Sequence, residues 1–452
     1  MKHWTPYQPN AEVPWNVERV VHLHRRAAFA ATWSEIQRDL KEGPDTAIER
    51  LLSGHQRLEQ SDDFTRMANN IGDAAMASNS PGRLRAWWFY RMLNSPDPLG
   101  ERLTLMWHNH FATSNRKVKN LVWMREQNEI LRTHCRRPFG TLLSKVVKHP
   151  AMLKWLDADA NRKGYANENL ARELLELFTL GIGNYTEADV HDSARALTGW
   201  TIKDDKFANR ISRHDEGELT VLGKTQTMDG DELLDLTLGH PATAKRLAWR
   251  LCDYFMGEKS FNDEAIDELA SGIVKNNFDM SWAVATILRS KLFFAAKNLR
   301  TRIAGPAEHV VATLRALELT APSPSTMLLA DWASRMGQDL FYPPNVSGWT
   351  GGRSWMNSRS VISRANFGAA LASGKLWRSR DTGEMESVLG TLFKRHEVES
   401  SHDLQCKWLT TLMCGNVEDD AVSALVKRSK DADYPIVRAV GLLLANPEHT
   451  LA

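Results

Sequence analysis

The stretch NENLARELLELFTLG (residues 167–181) decides the fold class, because its apolar residues follow the period of an α-helix. One face carries Leu170, Leu174, Leu177 and Phe178. The opposite stripe carries Asn169, Arg172, Glu173 and Glu176. Gly181 then supplies a helix stop. The stretch therefore predicts an amphipathic helix with a compact polar stripe.

The same helical period continues along most of the chain, and alternating strand patterns are scarce. We therefore expect a mainly α protein, an irregular multi-helix bundle. A polar segment near 202–230 breaks the period and predicts a small hairpin insertion, and residues 337–357 predict an ordered Pro/Gly/Trp loop. We expect a main helical domain over 1–381 and a small helical C-terminal appendage over 382–452 packed on it.

The charge, the cysteines and the distribution of apolar residues argue against several classes of protein. The 452 residues include 57 Lys and Arg against 55 Asp and Glu, so charge predicts no nucleic-acid partner. Four cysteines lie far apart without a CxxC pair, which favours buried free thiols over a disulfide framework. No stretch is apolar enough for a transmembrane segment, and no signal peptide is seen. The sequence as written predicts a cytoplasmic protein, or a periplasmic or envelope protein if a leader was removed.

WHNHF (107–111) offers two imidazoles, His108 and His110. On a helix these lie about 200° apart, so both can hold one ion only if the helix ends or unwinds there. If one of them faces Glu173 or Glu176, the pair forms a polar centre inside a helical bundle. The alternative is a core histidine bonded to backbone or carboxylate.

Candidate roles follow from residue chemistry. The candidate catalytic residues are Glu173, Glu176 and His108. The candidate substrate-binding residues are Arg172, Asn169, Asn167 and Trp349. The candidate ligands of a divalent metal ion, the candidate cofactor, are His108, His110, Glu173, His214 and Asp215. No GxSxG, HExxH, Walker A or dinucleotide motif appears, so the familiar hydrolase, protease, nucleotidase and dehydrogenase routes lose their usual support.

Several strings together resemble the bacterial domain-of-unknown-function family numbered 1800. They are HLHRRAAF (22–29), LTLMWHNHFATSNRKV (103–118), the run from Ala151 to Trp200, RHDEG (213–217) and the loop 337–357, with VRAVGLLLANPEHTL (437–451) at the end. The resemblance implies the fold more than an activity. It also implies, as candidate partner, a sulfatase-like protein encoded nearby.

Two hypotheses from different classes remain open. The first is a metal-assisted or acid/base hydrolase or transferase on a polar or anionic substrate, with its site between WHNHF and NENLAREL. The second is a non-catalytic binding or assembly protein that works with the sulfatase-like partner. Convergence of His108, His110, Asn169, Glu173, Glu176 and His214 in one solvent-reachable cavity would favour the enzyme, and if they scatter the enzyme hypothesis is to be abandoned.

Overall fold

Helices form most of this protein. The structure, a computed structural model, describes residues 1–257, 260–416 and 418–452. The described part is 63% helical, with 24 α-helices and two small antiparallel hairpins, which confirms the predicted fold class.

The first eight helices are α1 (Val17–Ala27), α2 (Trp33–Glu42), α3 (Pro44–Leu52), α4 (Gly54–Glu59), α5 (Asp62–Ala77), α6 (Pro81–Asn94), α7 (Pro98–His110) and α8 (Asn115–Val118). The next ten are α9 (Leu121–His134), α10 (Phe139–Val147), α11 (Pro150–Trp155), α12 (Asn169–Glu173), α13 (Glu187–Ala196), α14 (Gly230–Gly239), α15 (Pro241–Met256), α16 (Asp263–Lys275), α17 (Met280–Leu288) and α18 (Pro306–Ala316). The last six are α19 (Thr326–Arg335), α20 (Ser358–Ala372), α21 (Thr382–Arg395), α22 (His402–Cys414), α23 (Asp419–Ser429) and α24 (Pro435–Ala445).

Shorter helical segments complete the pattern. A π-helix covers Leu174–Thr179 directly after α12. Short 3-10 helices cover Ala158–Ala160, Ile211–Arg213, Ala296–Asn298, Gly352–Trp355 and Pro447–Thr450.

The polar insertion near 202–230 folds as two hairpins. Strand β1 (Trp200–Lys203) pairs antiparallel with β2 (Lys206–Asn209), and β3 (Leu219–Val221) pairs with β4 (Lys224–Gln226). Each hairpin closes within one short run of sequence, so the predicted insertion is confirmed as a pair of local ribbons.

Helix starts follow local capping chemistry. Thr32 accepts a hydrogen bond from the Glu35 N–H while the Glu35 carboxylate accepts one from the Thr32 N–H. Thr186 and Asp189 form the same reciprocal pair at the start of α13. Each box satisfies backbone donors that the first helical turn leaves unpaired, so these boundaries are encoded by a few neighbouring residues.

Two apolar clusters form the interior of the described residues. One packs α7 against α9, α10 and the helices from α13 to α17. The other packs α1 and α6 against α18 to α24, and α20 lies along α24. Residues 382–452 therefore share a core with the rest of the chain, and a domain boundary at residue 381 stays a prediction.

A buried ionic cluster holds α7 in place. The Glu101 carboxylate accepts hydrogen bonds from Arg91 Nε at 3.0 Å, Arg132 Nε at 2.7 Å and Trp88 Nε1 at 3.1 Å. Because Glu101 is 1% exposed, its buried negative charge depends on these two arginines for compensation. The cluster ties α6, α7 and α9 together and so positions the WHNHF string.

All four cysteines are buried and free, as predicted. Among the described residues no helix combines the length and apolarity needed to cross a membrane.

Candidate functional site

His108 is built into the core at the end of α7. Its Nε2 accepts a hydrogen bond from the Phe341 N–H at 3.3 Å, and its ring packs edge-on against Trp88. The residue is 2% exposed, and burial lowers its pKa to about 3. His108 is therefore neutral near pH 7 and joins α7 to the loop that contains Phe341.

His110 lies on a different side of α7 and contacts the second predicted string. Its Nε2 lies 3.1 Å from the Phe178 carbonyl oxygen, to which it donates as the neutral tautomer. Burial holds the pKa of His110 well below its usual value, and the nearby Arg250 and Arg246 lower it further. WHNHF and NENLARELLELFTLG thus meet at Phe178, but the contact is to a backbone carbonyl and not to a carboxylate.

The predicted single helix over 167–181 is divided in two. The α-helix ends at Glu173, and the π-helix Leu174–Thr179 continues with bonds such as Leu180 N–H to Leu175 carbonyl at 2.9 Å. A π-helix has a wider turn than an α-helix and often occurs at functional sites. The residues that follow Glu173 therefore depart from the positions that a regular helical period assigns them.

Glu173 and Glu176 form a carboxylate pair at this junction. Burial and, to a smaller extent, the negative charge of Glu176 together raise the pKa of Glu173 to about 7, against the opposing effect of Arg172. The Glu176 Oε2 accepts a hydrogen bond from the Tyr185 hydroxyl at 2.8 Å. Burial and this bond to Glu176 raise the pKa of Tyr185 to about 12, so the phenol keeps its proton. One carboxyl of the pair is thus able to gain or lose a proton near neutral pH.

A groove of about 840 Å³ opens beside Glu176, between the π-helix, α15 and α16. Its polar wall includes His240, Lys245 and Arg246, and its apolar wall includes Leu180 and Trp249. This volume and this mixture of apolar surface with a few polar groups are typical of small-molecule sites.

Arg246 is a cation on the groove wall that interacts electrostatically with Glu176. Burial lowers its pKa, and Glu176 acts in the opposite direction by stabilising the positive charge. The guanidinium carbon lies 5.3 Å from the centre of the Trp249 ring. Its Nε is buried and makes no hydrogen bond within the described residues. The groove therefore contains a guanidinium that retains hydrogen-bonding capacity.

The predicted substrate-binding residues of the second string are engaged elsewhere. Arg172 donates both Nη atoms to the Glu187 carboxylate at 2.8 Å and also contacts Glu168 at 3.1 Å. Asn167 accepts the Asn169 N–H at 3.0 Å, and the Asn169 amide donates to Asp157 at 3.3 Å. These side chains stabilise the start of α12 and its contact with α13.

His214 and Asp215 form a separate local cluster near the hairpins. The His214 Nδ1 lies 3.0 Å from the Thr198 carbonyl oxygen, and Asp215 pairs with Arg195 at 2.9 Å. Within residues 1–257, 260–416 and 418–452 no group of three or more His, Cys, Asp and Glu side chains is arranged to hold a metal ion. The predicted ligand set of His108, His110, Glu173, His214 and Asp215 is not brought together, since each histidine is bonded to the backbone.

Trp349 contributes to another cavity. It is 7% exposed, and its backbone N–H donates to the Asn109 Oδ1 at 2.7 Å. Both residues line a cavity of about 190 Å³ between α7, α15 and the loop 337–357. Of the six residues expected to converge, His108 and His110 lie in the core at the end of α7, Asn169 and Glu173 lie on α12, Glu176 lines the groove, and His214 lies near the hairpins.

Sequence reasoning missed Arg246 and Tyr185. The helix that contains Arg246 has an ordinary amphipathic period, in which an arginine on the polar face carries no distinguishing signal. Tyr185 lies only nine residues after Glu176, but the turn between them gives no motif that predicts their contact.

The described residues thus form a helical protein in which the polar groove beside Glu176 is a candidate ligand site. The chain matches, over residues 22–451, the family described as protein of unknown function (DUF1800). It belongs to that family, which confirms the resemblance seen in its sequence. No curated protein and no solved structure matches the chain.

Proposed function

We propose that this protein is an acid/base hydrolase or transferase that acts on a polar or anionic substrate in the groove beside Glu176. Glu173 and Glu176 are the acid/base pair, and Arg246 holds an anionic group of the substrate. The observation that supports this is a carboxylate pair at a π-helix junction, of which Glu176 lines a groove of about 840 Å³ that Arg246 also lines.

The chemistry follows from the different surroundings of the two carboxyls. The pKa of Glu173, at about 7, allows this group to donate a proton to a leaving group or accept one from a nucleophile near neutral pH. Glu176 is bonded to the Tyr185 hydroxyl and its charge favours the protonated form of Glu173. Carboxylates with separated roles are a common basis of acid/base catalysis.

The six predicted residues do not converge, so the enzyme as first predicted, with histidines and carboxylates in one cavity, is abandoned, and a smaller site at the carboxylate pair is proposed in its place. His108 and His110 are assigned to the packing of α7 because both are buried and bonded to backbone groups. Arg246 replaces Arg172 as the candidate anion-binding residue, since the guanidinium of Arg172 is shared between Glu168 and Glu187. The proposal rests on the carboxylate pair and the groove alone.

The test is hydrolysis of para-nitrophenyl phosphate and para-nitrophenyl sulfate by the purified protein, measured over a range of pH. We expect Glu173→Gln to lower kcat/KM by about 100-fold or more, the usual contribution of a general acid or base. Glu187→Gln is the matched control, because Glu187 is exposed and pairs with Arg172 outside the groove. Absence of turnover with both esters, or equal rates in Glu173→Gln and wild type, would remove the support for this reaction class.

The second candidate function is a non-catalytic assembly protein that binds the sulfatase-like partner implied by the family resemblance. Exposed apolar side chains at the same groove favour it: Ile182 is 80% exposed and Trp249 is 39% exposed. Apolar groups clustered on an open surface are typical of protein contacts. Binding of the purified partner that is lost in Trp249→Ala and retained in Ile362→Ala, an exposed apolar position outside the groove, would favour this function.

A further inference from the structure

The cavity lined by Asn109 and Trp349 differs from the groove because three arginines, Arg250, Arg302 and Arg353, also line it. Its volume of about 190 Å³ is small for a whole metabolite but large enough for a small ion or the charged end of a larger ligand. Its wall includes Asn109, Arg250, Arg302, Gln338, Arg353 and Trp355. It is distinct from the groove, although α15 contributes to both.

Glu308 is one of two carboxylates that line this cavity, and two arginines already share it. Arg302 donates to both carboxylate oxygens at 2.7 Å, and Arg102 Nη1 lies 2.8 Å from Oε1. Arg102 and Arg302 hold the pKa of Glu308 well below its usual value. Glu308 therefore stays ionised, and its negative charge is spread over two cations.

More positive charge lies directly behind this pair. Arg26 is fully buried and, within the described residues, donates only to neutral acceptors, which include the carbonyl oxygens of Phe255 at 3.1 Å and Asn298 at 2.9 Å. Burial and the nearby Arg302 hold the pKa of Arg26 well below its usual value. The charged form of Arg26 is thus destabilised by its surroundings.

Cations outnumber anions around the cavity among the residues described. Three arginines line it, Arg250, Arg302 and Arg353, against two carboxylates, Asp253 and Glu308. Arg26 and Arg102 do not line the cavity but interact with Arg302 and Glu308, respectively. A buried charge without compensation is costly, and a bound anion removes that cost. The charge distribution therefore favours a negatively charged ligand.

Hydrogen-bond donors remain for such a ligand. The Arg250 Nε is buried and makes no hydrogen bond within the described part of the chain. The Gln338 Oε1 accepts the Ala307 N–H at 2.9 Å, which leaves the side-chain NH2 as a donor. Arg353 lies in the 3-10 helix Gly352–Trp355 at the exposed edge of the cavity.

We propose that this cavity binds an oxyanion, a phosphate or sulfate group, held by Arg250 and Arg353 with the Gln338 amide as a third donor. The planar guanidinium group donates two parallel hydrogen bonds to such oxygens. The ligand is either the free ion or the charged end of a larger molecule. Asn109 and Trp349 bring the loop 337–357 against α7 and so close the side of the site.

The test is isothermal titration calorimetry of the full chain with inorganic phosphate, sulfate and acetate in a phosphate-free buffer. We expect phosphate or sulfate to bind, acetate to bind at least about tenfold more weakly, and the affinity to fall as salt is added. Arg353→Gln should weaken binding by about tenfold or more. Arg359→Gln, an exposed arginine on α20 that does not line the cavity, should bind as wild type does.

Arg250→Gln provides a second variant at the buried end, and its melting temperature shows whether it folds. Arg353 lies on the surface, so its variant keeps the test decisive if Arg250→Gln does not fold. Tighter binding of phenyl phosphate than of inorganic phosphate identifies the end of a larger ligand, and equal affinity identifies the free ion. Either result supports the site.

Three outcomes overturn the proposal. They are absence of binding by phosphate and sulfate, unchanged affinity in Arg353→Gln, and loss of phosphate binding in Arg246→Gln with wild-type affinity in Arg250→Gln. The last result would place the anion in the groove. Glu187→Gln, at an exposed position outside both the cavity and the groove, should leave phosphate affinity unchanged. Binding that depends on Arg250 and Arg353 is measured without turnover, so this experiment and the hydrolysis experiment fail independently.

Discussion

The side chain of Asn109 holds the backbone of Trp349 by two hydrogen bonds. Its Oδ1 accepts the Trp349 N–H at 2.7 Å, and its Nδ2 donates to the Trp349 carbonyl at 3.0 Å. The pair joins α7 to a loop 240 residues later in the chain. Gly348, directly before Trp349, has a φ of 75° and lies so close to Asn109 that a side chain has no space there.

Gly348→Ala should destabilise the protein by at least about 3 kcal/mol, because backbone strain and a steric clash add together. The new Cβ would lie 2.2 Å from the Asn109 Oδ1. Gly223→Ala is the matched control. Gly223 has a φ of 76°, and no atom lies within 4 Å of the place that its new methyl group would occupy. Only backbone strain of about 1 kcal/mol therefore applies to this variant. Equal losses in urea unfolding would contradict the close contact.

Glu308→Gln should lower the free energy of unfolding by about 3–5 kcal/mol, because it leaves Arg102 and Arg302 buried without their shared anion. Glu448→Gln is the control, since Glu448 is exposed and pairs with Arg300 at the surface. Thermal unfolding in low salt measures both variants. A loss in Glu308→Gln no larger than in Glu448→Gln would show that the arginines find other partners.

Glu173 should make the protein less stable as pH rises. The pKa of Glu173 is raised from 4.5 to about 7, so between these values the folded chain binds more protons than the unfolded chain. Its stabilising contribution is complete below the unfolded pKa and is lost as pH rises through the folded pKa. Glu173→Gln should remove this part of the decline in melting temperature between about pH 5 and about pH 8.

Glu187→Gln is the control for that pH experiment. The hydrogen bonds from Arg172 lower the pKa of Glu187, so its effect on stability has the opposite sign. Carboxyl titration of Glu173 by NMR gives the same quantity directly. A midpoint near 4.5 would contradict both the stability prediction and the acid/base role.

Removal of metal ions by a chelator should leave the melting temperature unchanged. His108 and His110 each use Nε2 in a hydrogen bond to the backbone, and their low pKa values reflect burial. Elemental analysis before and after dialysis against the chelator checks the prediction. A bound metal at one ion per chain, together with a fall in melting temperature on its removal, would restore the metal-assisted mechanism.

The helical fold and many helix boundaries could be predicted from sequence because they depend on neighbouring residues. The capping boxes at Thr32 and Thr186 need only the residue three positions later, and Gly181 ends its helix with a φ of 84°. The buried free thiols followed from spacing and composition in the same way.

The site was less accessible from sequence because it depends on long-range contacts. Asn109 and Trp349 are in contact although they are 240 residues apart in the chain. Arg250 lies on the polar face of an amphipathic helix, where the sequence does not distinguish it from a surface arginine. The helical period of residues 167–181 pointed to a polar stripe but could not show the π-helix. Local propensity does not distinguish LLELFT in a π-helix from the same letters in an α-helix.

Because Leu174–Thr179 is a π-helix, the number of residues in this segment determines how the following residues are oriented. Its wider turn accommodates one residue more than an α-helical turn, so deletion of a single residue between 174 and 179 would let the α12 register continue. The helical residues after the deletion would rotate by about 100° about the helix axis relative to Glu173. The Phe178 carbonyl would then turn away from His110, and their hydrogen bond would be lost. The connection between α7 and the groove therefore depends on the number of residues in this segment as well as on which side chains it contains.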